Sequence, residues 1–189
     1  MIVQASPMSP SQALPLDSPR WGPLHTRDGQ GAGWVGEAIR ELQEGTLDAR
    51  AFHDWWPELC SEDRTYDAAY AAAPYLVEMA ARLPLVERTE HLIVLGLIKT
   101  NAGDLPPDLQ PAYRQAIDAA LTLSLQALVD CPSGHELRYL LSAVAAFRDG
   151  TDLASALQNL DAIQEPCPAC GHVVFPSELQ RIVHAEKAV

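Results

Sequence analysis

Residues 66–84, YDAAYAAAPYLVEMAARLP, constrain the fold more than any other stretch of the chain. Tyr66, Ala69, Tyr70, Ala73, Leu76 or Val77, Ala80 and Leu83 recur at steps of three and four, the spacing of one helix face. Ala68, Ala69, Ala71, Ala72 and Ala73 leave so little bulk around the axis that neighbouring helices can come close. Pro74 stands in the middle of this run. A proline inside a helix costs roughly 3 kcal/mol, because it has no N–H and its ring crowds the carbonyl four residues back. Packing has to offset that cost. The pattern predicts one bent inner helix, starting near Ser61 or Asp63, whose two halves pack on different neighbours. Two helices meeting at Pro74 would need Ala73 as N-cap, and alanine is among the poorest caps.

The same spacing recurs on both sides. Val35, Ile39 and Leu42 predict a helix from Trp34, closed by Gly45 as a left-handed C′ residue. Thr46 is the expected N-cap of a second helix through LDARAFHDWWPEL, which places Ala51, Phe52, Trp55 and Trp56 on one side and is ended or distorted by Pro57. Further helices are expected from about Val86 to Thr100, from about Asp108 to Val129, through ELRYLLSAVAAF up to Gly150, and through LASALQNLDAI with Thr151 or Asp152 as cap. Only HVVF, 172–175, reads as strand. Seven helices joined by short Pro- and Gly-containing loops argue for an all-α chain with antiparallel neighbours. Two arrangements fit: a closed bundle, or helical hairpins stacked side by side.

Residues 1–30 hold five of the fifteen prolines, Pro7, Pro10, Pro15, Pro19 and Pro23, and show no periodicity. They are expected to form an extended or disordered arm, pinned by Trp21 and Leu24 to a single domain over 31–189. At 189 residues one core is the default, and 48% hydrophobic with 20% charged residues supplies it. Thirteen basic against 25 acidic residues leave a net charge of −12, which repels nucleic acid and anionic membranes; keeping the protein in solution is the stronger reading of it, and attraction of a basic protein partner the other. The longest apolar run, LIVLGLI at 92–98, is far shorter than the roughly 20 residues of a membrane span. The first residues lack the basic and apolar regions of a secretory signal, and four cysteines are too few for a disulfide scaffold, so the expected location is the cytoplasm.

The stretch WWPELCSEDRTYDAAYAAAPYLVEMAARLP, residues 55–84, resembles a repeat of bacterial HEAT-like (armadillo-type) helical proteins, with a large apolar residue, a short polar loop, then tyrosine, alanines, proline and an apolar run. RTEHLIVLGLI, LRYLLSAVAAFRDG and the CPAC near the end look similar to the same family, with loose coverage over 34–172. The resemblance implies stacked antiparallel hairpins forming a short HEAT-like αα-superhelix. It also implies a non-enzymatic role in protein–protein interaction, with no catalytic residue to carry over. The proline-rich start and the tail PSELQRIVHAEKAV depart from the family's usual ends.

CPACGH, 167–172, is the sharpest local motif. A Cys-x-x-Cys turn lets Cys167 and Cys170 approach one metal ion, as in zinc ribbons. A closed zinc site needs four ligands. Cys131 and His135 have a tolerable spacing to supply the others, while His172 is nearer but cramped. A complete site provides on the order of 10 kcal/mol, whereas a two-ligand remnant holds metal too weakly to matter. The expectation is no cofactor, with a small zinc protein or enzyme around Cys167 and Cys170 as the alternative. An acidic inhibitor or immunity protein against a basic toxin is another alternative. Cys60 and His53 lie nearly two helical turns apart and could form a nucleophile and base, but burial of Cys60 as a small hydrophobe is the stronger reading. His25, His91 and His184 have no partner at metal spacing and read as surface or core residues. P-loop and Gly-x-Ser-x-Gly motifs do not occur.

Overall fold

A computed structural model describes residues 13–47, 50–61, 63–130 and 134–159, together with the paired strand residues 165–166 and 173–174. Its helices are α1 (Gly33–Glu44), α2 (Arg50–Trp55), α3 (Asp67–Arg82), α4 (Leu85–Thr100), α5 (Gln110–Ala127), α6 (Gly134–Phe147) and α7 (Thr151–Gln158). Two short strands, β1 (Glu165–Pro166) and β2 (Val173–Val174), pair antiparallel, with Glu165 opposite Val174 and Pro166 opposite Val173. The described residues form an all-α architecture, and none of their helices is long and apolar enough to cross a membrane.

α1 ends as its sequence requires. Gly45 takes a φ of 72°, and the N–H groups of Gly45 and Thr46 close onto the carbonyls of Leu42 and Glu41. Thr46 does not cap α2, because its hydroxyl turns back and donates to the Glu41 carbonyl at 3.0 Å, so it finishes α1 instead. α2 gives way to a 3₁₀ turn over Trp56–Glu58, where Pro57 supplies no N–H.

α3 starts later than its spacing suggests. A turn comes first, in which Cys60 and Thr65 bridge, Ser61 N–H donates to the Arg64 carbonyl at 2.8 Å and the Ser61 hydroxyl to Asp63 Oδ1 at 2.9 Å. From Asp67 the helix runs unbroken through Pro74 to Arg82. It stops at Leu83, which is extended because the following Pro84 disfavours helical geometry there. Residues 68–74, Leu76, Val77, Met79 and Ala80 are all buried. A helix buried nearly all round is an inner helix, and its alanines are what let α1, α4 and α5 surround it.

The rest is organised in hairpins. Thr65, just before α3, donates through N–H to the Asn101 carbonyl and through its hydroxyl to the Ile98 carbonyl at 2.9 Å, so the start of α3 lies beside the end of α4 and the two are antiparallel. Tyr70 meets Tyr113 edge to face at 5.0 Å, early in α3 and early in α5, so these helices run parallel. Late in α4, Gly96 faces Ala143, late in α6, and a Cβ built on Gly96 would overlap the Ala143 Cβ and lie 2.7 Å from its Cα. Lys99 reaches Asp149 at 2.8 Å from the same end. Hairpin α5–α6 therefore lies beside hairpin α3–α4, with α5 on α3 and α6 on α4. α7 closes on α6 through the Ser142 hydroxyl, which donates to the Ala154 carbonyl at 2.9 Å.

α6 finishes with Asp149, not Gly150, in the left-handed region at φ 60°. Aspartate tolerates that conformation, and a Cβ on Gly150 beside it would sit tightly, 3.1 Å from the Ala145 carbonyl oxygen. Neither Thr151 nor Asp152 is the cap residue of α7; Gly150 holds that position.

Residues 13–32 join the same core. Trp21 is 1% exposed, and its indole N–H donates to the Pro15 carbonyl at 2.9 Å. Leu24 is equally buried. Tyr75 of α3 donates its hydroxyl to the Leu14 carbonyl at 2.6 Å, Ala68 N–H donates to the His25 carbonyl, and Arg20 pairs with Asp108 at 3.2 Å. Gly36 of α1 is the contact point, since a Cβ there would come within 2.7 Å of the Leu16 carbonyl oxygen.

Candidate functional sites

Three places on the described surface differ from plain helix exterior. The first is a cleft of about 630 Å³ beside the turn after α2, lined by Arg27, Trp56, Pro57, Cys60, Asp63 and Leu97. It contains the thiol that a nucleophile would need. Cys60, however, is 1% exposed, and burial pushes its thiol up to about 12. Only the thiolate attacks, so at neutral pH this sulfur is inert. Its suggested base is engaged elsewhere: His53 is exposed, and its Nδ1 lies 2.7 Å from Glu90 Oε1, which raises the imidazole above its ordinary value. Iodoacetamide at pH 7.5 is expected to leave Cys60 unmodified in the folded protein and to alkylate it in urea, as read by peptide mass spectrometry. Rapid native labelling would overturn the burial of this thiol.

The second is a smaller pocket of about 260 Å³ where the end of α1, the end of α3 and α4 converge. Leu42, Leu47, Met79 and Leu83 make apolar walls. Gln43, Arg82 and His91 supply the polar groups. His91 is 4% exposed, with its ring stacked on Phe52 at 4.1 Å and 10° between planes. Phe52 in turn meets Trp55 edge-on at 5.2 Å, and Trp55 meets Trp34 at 6.1 Å, so the imidazole closes an aromatic row. Nothing in the spacing of His91 to other ligating residues singles it out. The legible signal is its place on the buried stripe of α4, with Leu95 and Ile98 four and seven residues on.

Burial holds His91 below the ordinary value of 6.5, outweighing the Glu87 carbonyl and the Glu90 and Glu87 charges, which favour the proton. The unfolded chain then binds the proton more readily than the fold does. The stability this histidine contributes is present above about 6.5 and is lost as pH falls below it. His53 runs the other way: its contribution is present below its unfolded value and fades as pH rises through the raised folded value. Between pH 7 and 5.5 the wild-type protein is expected to lose more stability than a His91→Phe variant does. Thermal melts of both proteins across that range measure it, and parallel curves would show that His91 is not buried in its neutral form.

The third is a set of exposed large apolar side chains towards the later helices. Leu137 and Leu141 of α6 are 37% and 41% exposed, Leu153 of α7 is 59% and Val129, in the turn after α5, is 80%. Leu137 and Leu141 are one turn apart on the same face.

Of the metal-ligand candidates, Cys167, Cys170, Cys131 and the cramped His172 lie outside the described residues. His135 is described: it is exposed at the start of α6 and packs edge-on against Tyr139 at 5.0 Å. No cluster of three or more His, Cys, Asp or Glu side chains able to hold a metal ion occurs among the described residues. His25 is exposed and pairs with Asp67 at 2.9 Å. No protein-family model, no curated protein and no solved structure matches the chain.

Proposed function

We propose that this chain is a non-enzymatic HEAT-like helical-repeat protein that binds another protein. The observation that carries the reading is the placement of hairpin α5–α6 beside hairpin α3–α4, with like helices parallel, which is how stacked hairpins extend a two-layer superhelix. Each hairpin buries its face on the next, so the last one is left with apolar side chains to offer. Leu137, Leu141 and Leu153 are such side chains. The net charge of −12 favours a basic partner, steered by long-range attraction and weakened by salt. An acidic inhibitor of a basic toxin would be one instance of that reading. A cytoplasmic location goes with it, since four cysteines are too few for the disulfide scaffold of an exported domain.

Affinity capture with the wild-type chain and with the Leu137→Glu/Leu141→Glu double variant tests the reading. A basic protein retained in stoichiometric amount by the wild type, released by 0.5 M salt and missing from the folded variant is the expected result. No retained protein, or equal retention by both, would overturn it.

A second reading rests on the strand pair. Glu165 pairs with Val174 and Pro166 with Val173, the residues that flank CPACGH on either side, and a closed turn between them is what a metal knuckle requires. Zinc held by Cys167 and Cys170, with Cys131 and His135 completing the set, is then the proposal. Elemental analysis of protein purified without a histidine tag is expected to give one zinc per chain, lost in Cys167→Ser. Stoichiometry near zero removes this reading.

A further inference from the structure

The pocket between α1, α3 and α4 contains a hydrogen-bond acceptor that the described fold does not use. Nδ1 of His91 lies 3.2 Å from the carbonyl oxygen of Glu87, one turn earlier in α4. A carbonyl only accepts, so in the neutral ring Nδ1 carries the hydrogen and Nε2 is left with a lone pair. Nε2 has no partner among the described residues. One face of the ring is stacked on Phe52. The imidazole is therefore fixed in tautomer and in orientation at the wall of a pocket whose other polar side chains are Gln43 and Arg82.

The other polar groups there narrow the ligand. Arg82 is largely exposed, where water screens it, and shares its charge with Glu78 one turn back on α3. An anion has little to gain from it. The walls, Leu42, Leu47, Met79 and Leu83, reward an apolar body, and about 260 Å³ holds one ring but falls short of the range of drug-sized sites.

We infer that this pocket binds a neutral single-ring compound carrying one O–H, a phenol, which lies against the leucine and methionine walls and donates its hydrogen to Nε2 of His91. The same chemistry comes from two sources, a free small phenol or the tyrosine side chain of a bound protein. Neither depends on the repeat reading, because binding is measured on the isolated chain.

The probes are p-cresol, toluene and N-acetyltyrosinamide, titrated into isotope-labelled full-length protein at pH 7.5 while the imidazole resonances of His91 are followed. Expected is saturable p-cresol binding with a shift at Nε2 of His91. Toluene, equal in shape but with no hydrogen to donate, should bind about threefold to tenfold more weakly, the worth of one net hydrogen bond. His91→Phe, which keeps the ring stacked on Phe52, should stay folded and bind the two alike. Displacement of p-cresol by N-acetyltyrosinamide assigns the pocket to a tyrosine side chain, and failure to displace assigns it to a free phenol. No saturable binding, equal affinity of wild type for p-cresol and toluene, or shifts confined to residues away from His91 would overturn the inference.

Discussion

Gly96→Leu is expected to destabilise the protein by about 3 kcal/mol, the upper part of the range for overpacking a filled core. In a chain of this length that lowers the melting temperature by on the order of 6–12 °C. The cause is local. A Cβ on Gly96 already overlaps that of Ala143 and stands 2.7 Å from the Ala143 Cα, so the contact is with the backbone of α6 and no rotamer relieves it. Gly96→Ala should cost less, because the same clash is partly offset by about 1 kcal/mol of helix propensity. Gly33, at the start of α1, is the control, since nothing lies within 4 Å of the Cβ it would carry. Gly33→Ala is expected to leave stability unchanged or to raise it by about 0.5 kcal/mol. Circular-dichroism melts of the three variants decide the matter, and a Gly96→Leu protein that melts with the wild type would mean that α4 and α6 do not touch there.

Trp21→Ala should cost about 3–5 kcal/mol, the range for emptying a buried aromatic site. Trp21 is 1% exposed, lies outside the helical bundle in sequence and is held in place by its N–H to Pro15. The effect would show that residues 13–32 are structural. Trp21→Phe keeps most of the volume and loses the hydrogen bond, so about 1 kcal/mol plus a small cavity cost is expected. Denaturant titration measures both. A loss below about 1 kcal/mol for the alanine variant would mean that the body is complete without this stretch.

The helices were legible where apolar spacing and a terminator agree. Val35, Ile39 and Leu42 followed by Gly45 give α1, and Gly45 has the left-handed φ that its position required. The alanine-rich run gives α3, buried nearly all round as its narrow side chains suggest. Where polar side chains had to be assigned to one of two jobs, spacing was silent. Thr46 sits between two helices and serves the earlier, and Ser61 and Asp63 make a turn when they read equally well as caps. Asp149 beside Gly150 hid which of them would take the left-handed position, because that depended on the Ala145 carbonyl. The pocket was not legible at all. Its walls come from Leu42, Met79 and Leu83, separated by up to 41 residues, and His91 matters there only because Phe52, on another helix, covers its ring.

All four tryptophans, Trp21, Trp34, Trp55 and Trp56, fall within the first third of the chain. Trp34 and Trp55 meet edge to face at 6.1 Å, whereas α4, α5, α6 and α7 contain no indole. Intrinsic fluorescence is therefore a reporter of one end of the molecule, and far-ultraviolet dichroism of the whole. Overlaid unfolding curves from the two signals show whether the hairpins melt as a single cooperative unit, and a gap between the midpoints shows the end near α1 opening at its own denaturant concentration.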